Sequence, residues 1–237
     1  MSSYIAEFMG TFVLVVINNG VVANVLLKKT KGNTSNNWLL ISVAAGLAVM
    51  FGIIVSMHAS GAHINPAVSI AMLTLGKIAF IDTLFYIVFQ LLGAMFGALF
   101  VYLSYKKHYD ETEDEAIKLA TFSTGPALDN PKWNIISEIL ATFILVGIVV
   151  TVVSSQVNMD ESLIPLVIGS LVMVLGISLG GSTGFAMNPA RDLGPRITHS
   201  LLKLGNSNWR YAIVPVIGPI IGGVIGALTF SYYLGGL

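Results

Sequence analysis

From Gly32 to Gly76 the chain runs for 45 residues without a formal charge, histidine counted as neutral. A soluble domain does not leave so long a segment bare, because its surface needs charged groups to stay dispersed. Lipid is the environment that tolerates it, and a spanning helix there takes roughly 17–25 apolar residues. Phe8–Leu27, Thr83–Tyr105, Ile139–Met159 and Tyr211–Leu237 are also charge-free, over 20, 23, 21 and 27 residues, and each fits one span. Gly32–Gly76 and the 29-residue stretch Ser162–Ala190 are too long for that. The first divides into a polar turn over Gly32–Asn37, a span over Trp38–Met57 and a remainder, His58–Gly76. The second divides into a span over Leu163–Leu179 and a remainder, Gly180–Ala190. Apolar remainders of this length read as re-entrant segments. The expectation is an all-α membrane protein in a single domain over 1–237, with six transmembrane helices and two re-entrant half-helices.

The charges that remain are 12 basic and 12 acidic, 10% of the chain. Their balance leaves no basic footprint, so no nucleic-acid partner is expected. There are no cysteines, which removes disulfides and thiol chemistry. His58 is expected in packing or loop anchoring; it and His63 are not spaced as a metal pair, and neither a metal nor a cofactor is expected. The polar linkers are Lys28–Asn37, Lys106–Lys132, Ser154–Ser162 and Ile197–Trp209. The longest carries an acidic run, Asp110 to Glu115, read as a solvated loop helix. Gly180–Gly184 matches a G-x-S-x-G nucleophile elbow, but that motif works on a strand-to-helix turn and needs Asp and His partners. No such set can be assembled, and no enzymatic activity is expected.

The chain is written twice. Ala6–Val15 resembles Ser137–Val146, Ser60–Ala67 resembles Thr183–Ala190, and Gln90–Gly97 more weakly resembles Pro219–Gly226. The offsets are 131, 123 and 129, with the pairs in the same order. Each half, about 1–105 and 133–237, holds three spans and one half-element, joined by the loop 106–132. Three is odd, so the halves insert with opposite orientation, and such inverted repeats place the functional site near the membrane midplane between them.

The best-matched pair contains Asn65-Pro66-Ala67 and Asn188-Pro189-Ala190. Asn is a strong helix N-cap and Pro is favoured at the first helical position. Each motif therefore starts a short helix, and inversion brings the two starts tip to tip. Each tip carries about half a positive charge. Two of them facing one lumen repel cations, protons included. The asparagine amides offer donors at the same place, so a passing oxygen accepts from both and a proton wire is broken. The preceding segments, Gly61–Ile64 and Ser182–Phe185, are non-helical, which membrane depth tolerates only for buried or lumen-lining backbone. The carbonyls of Gly61, Ala62, His63, Ile64, Ser182, Thr183 and Gly184 are the expected acceptor ladder. Glu7 and Glu138 sit at matching repeat positions inside spans. Each is expected to accept hydrogen bonds from a re-entrant backbone, with proton transfer as the alternative.

With these motifs the whole chain resembles the aquaporin (major intrinsic protein) superfamily, and Asp192 after Arg191 resembles its glycerol-facilitator branch. The resemblance implies a passive channel for glycerol and other small neutral solutes with water, in the cell membrane, as a homotetramer amid lipid. It implies an aromatic/arginine filter at Ala45, Gly176, Phe185 and Arg191. Arg191 would donate to a hydroxyl or carbonyl and repel cations. Phe185 would wall the solute's carbon backbone, and Gly176 stands where water-selective members carry a histidine. Ala45 departs from the tryptophan usual in glycerol facilitators and widens the filter further. Dihydroxyacetone and undissociated lactic acid become candidate solutes. By the same resemblance His63 lines the pore near the cytoplasmic mouth, with a buried polar histidine as the alternative.

Two features pull elsewhere. With the family's topology only Lys77 of the 12 cations is cytoplasmic, whereas the positive-inside rule would invert the protein. A mainly water-selective pore and a proton-coupled carrier using Glu7 or Glu138 are the competing functions. Small-xxx-small runs at Gly93/Gly97, Gly176/Gly180/Gly184 and Gly218/Gly222/Gly226 are expected to serve close helix packing.

Overall fold

The computed structural model describes residues 2–154, 157 and 159–235, so Met1, part of the linker Ser154–Ser162 and the last two residues lie outside the described residues. Among the described residues, six helices are long and apolar enough to cross a membrane. They are α1 (Ser3–Leu26), α2 (Trp38–Ser60), α4 (Phe80–Ser104), α7 (Pro131–Val152), α8 (Ile164–Leu179, entered through a 3₁₀ turn) and α10 (Val214–Tyr233). Between them lie two shorter helices, α3 (Pro66–Thr74) and α9 (Pro189–Leu201). Two single-turn pieces, α5 (Lys106–Glu111) and α6 (Glu115–Ala120), occupy the central loop. Capping fixes several starts. Asn37 and Asn130 accept from the backbone N–H of Leu40 and Trp133, and Pro131 holds the first turn of α7.

The packing has a two-fold pattern. In the first half α1 packs on α2 and α4; in the second α7 packs on α10 and, less extensively, on α8. Each half-helix crosses over, α3 against α10 and α9 against α4. The halves meet where α2 crosses α8, at Gly46 and Gly169, which are 123 residues apart. A Cβ on Gly46 would lie 2.5 Å from the Gly169 carbonyl oxygen, and one on Gly169 would lie 2.8 Å from that of Gly46. Neither backbone could approach so closely with any side chain between them. The outer faces stay apolar and open, as on α4 with Phe80, Phe96, Phe100 and Leu103. Surface of this kind is matched to lipid rather than to water.

Four expectations change. The acidic run is not one helix: α5 ends at Glu111, and α6 begins after Asp114, whose side chain caps it by accepting from Ala116 and Ile117. Lys106 pairs with Asp110 and Lys29 with Glu111. The expected linker Ile197–Trp209 begins inside α9, which continues to Leu201 with Arg196 paired to Asp192 one turn back. His58, expected in packing or loop anchoring, is exposed on α2. The glycine runs also differ in use. Those of α4 and α10 press against backbone of α1 and α7, but Gly176 and Gly180 instead make room for the Phe185 ring, and Gly180 also for Trp38.

Candidate functional site: a cavity at the half-helix tips

The half-helix starts meet through their caps. Asn65 Oδ1 accepts from the N–H of Ala67 at 2.9 Å, and Asn188 Oδ1 accepts from those of Ala190 and Arg191 at 3.0 and 3.2 Å. With the oxygens so engaged, the amide nitrogens reach across to the other repeat. Asn65 Nδ2 donates to the Met187 carbonyl at 2.9 Å, and Asn188 Nδ2 donates to the Ile64 carbonyl at 2.8 Å. An amide nitrogen carries two N–H groups. Each asparagine thus spends one on clamping the opposite loop and keeps one uncommitted beside the cavity that both residues line. Pro66, Ala67, Pro189 and Ala190 are buried behind them.

The loops before the tips have matched backbones. Gly61, Ala62 and Ile64 have φ of 80°, 54° and 43°, and Gly184, Phe185 and Met187 have 83°, 41° and 46°. The counterpart of Gly61–Ile64 is therefore Gly184–Met187, the offset of 123 again. The expected second ladder over Ser182, Thr183 and Gly184 starts too early. The Ser182 carbonyl accepts from the Ala127 N–H at 3.0 Å, and the Thr183 hydroxyl donates to Glu138 at 2.6 Å. Left-handed residues other than glycine are strained, by roughly 1–3 kcal/mol each, and persist only where their surroundings hold them. Two carboxylates do the holding. Glu7 accepts from the N–H groups of His63 and Ile64 at 2.9 and 2.6 Å, from the Ser60 hydroxyl at 2.6 Å and from Gln90 Nε2 at 2.7 Å. Glu138 accepts from the N–H groups of Ala186 and Met187 at 3.0 and 2.8 Å, besides Thr183. Both acids are buried, at 0% and 1% exposure, with every bond running to a loop or a neighbouring helix.

A cavity of about 80 Å³ runs past these tips. At roughly 10–15 Å³ per water it takes a short file of molecules. Its wall is mostly apolar, with Val49, Val68, Leu145 and Val172 among its residues. The polar exceptions are His63, Asn65, Asn188, Arg191 and Asn18. Three of the four filter positions line it: Ala45, Phe185 and Arg191. Gly176 stands behind. A Cβ there would come within 3.0 Å of the Phe185 ring, and its carbonyl accepts from Trp38 Nε1 at 2.9 Å. Trp38 in turn meets Phe185 edge-on at 5.4 Å. Among the described residues Arg191 donates only through its backbone N–H, and Nη1 is buried without a partner. His63 lines both this cavity and a second, wider one that also meets Met57, Val152 and Glu161, with Nδ1 3.1 Å from the Ser69 hydroxyl.

Asp192, next to Arg191, turns away from the lumen. It pairs with Arg196 and accepts from the N–H and hydroxyl of Thr124 at 2.7 and 2.6 Å. Two inverted half-helices clamped by their own asparagines, beside a cavity with one cationic wall, decide the family. Residues 1–230 match the profile described as Major intrinsic protein. The chain belongs to the major intrinsic protein family. Its similarity extends to a probable glycerol uptake facilitator of Thermotoga maritima, 45% identical over 98% of this chain and 99% of the relative. It is also similar to a D/L-lactic acid transporter of Lactiplantibacillus plantarum, 36% identical over 98% of this chain and 97% of the relative. Among solved structures it resembles the aquaglyceroporin from Plasmodium falciparum, with a TM-score of 0.86, 32% identity, and coverage of 96% of this chain and 94% of that one.

As a major intrinsic protein the chain is a multi-pass membrane protein of a channel family. Sequence reasoning passed over Asn18, Asn19, Trp38, Thr124 and Arg196. The signal for the asparagines was present, since polar side chains in a lipid-spanning segment face the protein interior or a lumen. Thr124 sits in a loop that no periodicity connects to the site.

Proposed function

We propose that the protein is a passive channel for glycerol and other small neutral solutes, with water as co-permeant, that excludes ions and protons. The observation that carries this reading is the mostly apolar cavity whose few polar groups include the two half-engaged amides of Asn65 and Asn188 and the guanidinium of Arg191, which has no partner among the described residues. A solute with carbons on one side and hydroxyls on the other matches such a wall. A cation meets two helix N-termini and Arg191, and an anion loses its hydration to an apolar lining. In this reading Asn65, Pro66, Ala67, Asn188, Pro189 and Ala190 orient the solute at the tips. Ala45, Phe185 and Arg191, backed by Gly176, form the filter, and Glu7 and Glu138 hold the loops. Asp192 marks the glycerol branch and acts away from the solute.

The small side chain at Ala45 favours solutes broader than glycerol, dihydroxyacetone and undissociated lactic acid among them. The lactic acid transporter among the relatives supports that extension. We further propose one channel domain of two inverted repeats, assembled as a homotetramer with one pore per subunit in the plasma membrane, and no enzymatic activity. Proteoliposome swelling tests the function. Glycerol entry should be fast, run only downhill and ignore a proton gradient. Swelling no faster than in empty vesicles would sink the proposal.

A further inference from the structure

Asn18 lines the cavity, yet it belongs to neither repeat motif and to none of the filter positions. It is 3% exposed, on α1 four residues beyond Leu14, another lining residue. Its orientation follows from a chain of hydrogen bonds. The Phe122 carbonyl can only accept, so the Asn19 atom 2.9 Å away is Nδ2. Asn19 then turns Oδ1 toward Asn18, and the Asn18 atom 2.9 Å from it must be Nδ2. That leaves Asn18 Oδ1 on the other side. Among the described residues no donor reaches it, and it is absent from the oxygens that are both sealed and unpartnered. An accessible, unpaired oxygen on a residue otherwise buried in the cavity wall opens into the cavity.

The anchor of this chain is itself held. Phe122 precedes Thr124 by two residues, and Thr124 is fastened by Asp192 and by its carbonyl's bond from Arg196 at 2.9 Å. The outer loop thus points the Asn18 oxygen, while the Arg191 guanidinium lines the same cavity with its donors unused. One wall group can only accept and the other can only donate.

We propose that Asn18 Oδ1 is a binding group for polyols: it accepts a hydrogen bond from one hydroxyl of a solute whose neighbouring hydroxyl oxygen accepts from Arg191. Asn19 is its positioning residue. The inference rests on the channel reading above and adds to it a residue that selects for vicinal hydroxyls. A polyol pressed along the apolar wall cannot turn to find another acceptor. Water reorients and bonds to the next molecule in the file, so losing this oxygen weighs on the polyol more than on water.

The test is the ratio of glycerol to water permeability in proteoliposomes, from which the amount of folded protein cancels. Asn18→Leu keeps the size and removes the acceptor. It should lower the ratio about fivefold, the rate equivalent of one net hydrogen bond at roughly 1 kcal/mol. Asn18→Ala should lower it too, despite the wider lumen, and Asn19→Leu should lower it less by freeing the amide to turn. A ratio within twofold of wild type in Asn18→Leu, or a ratio raised by Asn18→Ala, would show a steric wall and overturn the proposal. Absence of glycerol flux in the wild type would instead overturn the channel reading itself.

Discussion

Asp192 and Arg196 form an ion pair one helical turn apart, Oδ1 to Nη2 at 2.8 Å, with both side chains sealed from solvent. Arg196 spends its remaining donors on the carbonyls of Thr124, Ser207 and Asn208. The pair therefore fastens two outer loops to α9, the helix that begins at Asn188 and carries Arg191.

Breaking that pair should be costly. Arg196→Leu leaves the Asp192 carboxylate buried without its cation and strands three carbonyls. Loss of one partner from a buried pair costs about 3–5 kcal/mol. At roughly 2–4 °C per kcal/mol, the melting temperature in detergent should fall by about 6–20 °C. A thermal scan of purified protein checks this.

Glu138→Gln separates a loop anchor from a proton carrier. The amide places N–H groups against the donors of Thr183, Ala186 or Met187, where the carboxylate accepts from all three. Water and glycerol fluxes should fall together, several-fold, as the Gly184–Met187 loop loosens. A group that moves protons would behave differently: wild-type glycerol flux would respond to an imposed pH gradient. No response is expected, and stopped-flow swelling with and without the gradient measures it.

Gly222→Ala tests the close contact of α10 with α7. The added Cβ would fall 2.2 Å from the Ile139 carbonyl oxygen, backbone against backbone, so neither side can yield. Overpacking of this kind costs about 1–3 kcal/mol, and a melting temperature lowered by about 2–12 °C is expected. Gly181→Ala is the control, since nothing lies within 4 Å of its Cβ and φ there is not positive. Its melting temperature should match wild type.

Ala45→Trp adds bulk to the wall of the cavity that Arg191 also lines. Dihydroxyacetone and lactic acid fluxes should fall by an order of magnitude, and water flux by less. Unchanged fluxes across a series of solutes of increasing width would remove Ala45 from the filter.

The span pattern was legible because lipid imposes a length rule and a charge rule that a linear sequence displays directly. Trp38–Ser60 begins at the residue read from the polar turn, and Asn65 and Asn188 start helices as N-caps do anywhere. Boundaries failed where a charge was satisfied out of sight. The polar linker read from Ile197 onward begins inside α9, where Arg196 just before it is held by Asp192 and two loops. The doubling of the chain, too, was plain in the sequence, and its offset locates the second loop at Gly184–Met187 once φ is known.

The sequence by itself determined the medium, the number of crossings, the two helix starts and their inverted relation. These follow from local composition and capping, which need no distant partner. Only the tertiary structure decided which groups face the lumen. A side chain's last hydrogen bond depends on residues far along the chain, as Asn18 depends through Asn19 on Phe122, which lies 103 positions beyond Asn19. The direction of one amide oxygen is set by that closure, and nothing in the run of apolar residues around it could specify which way it points.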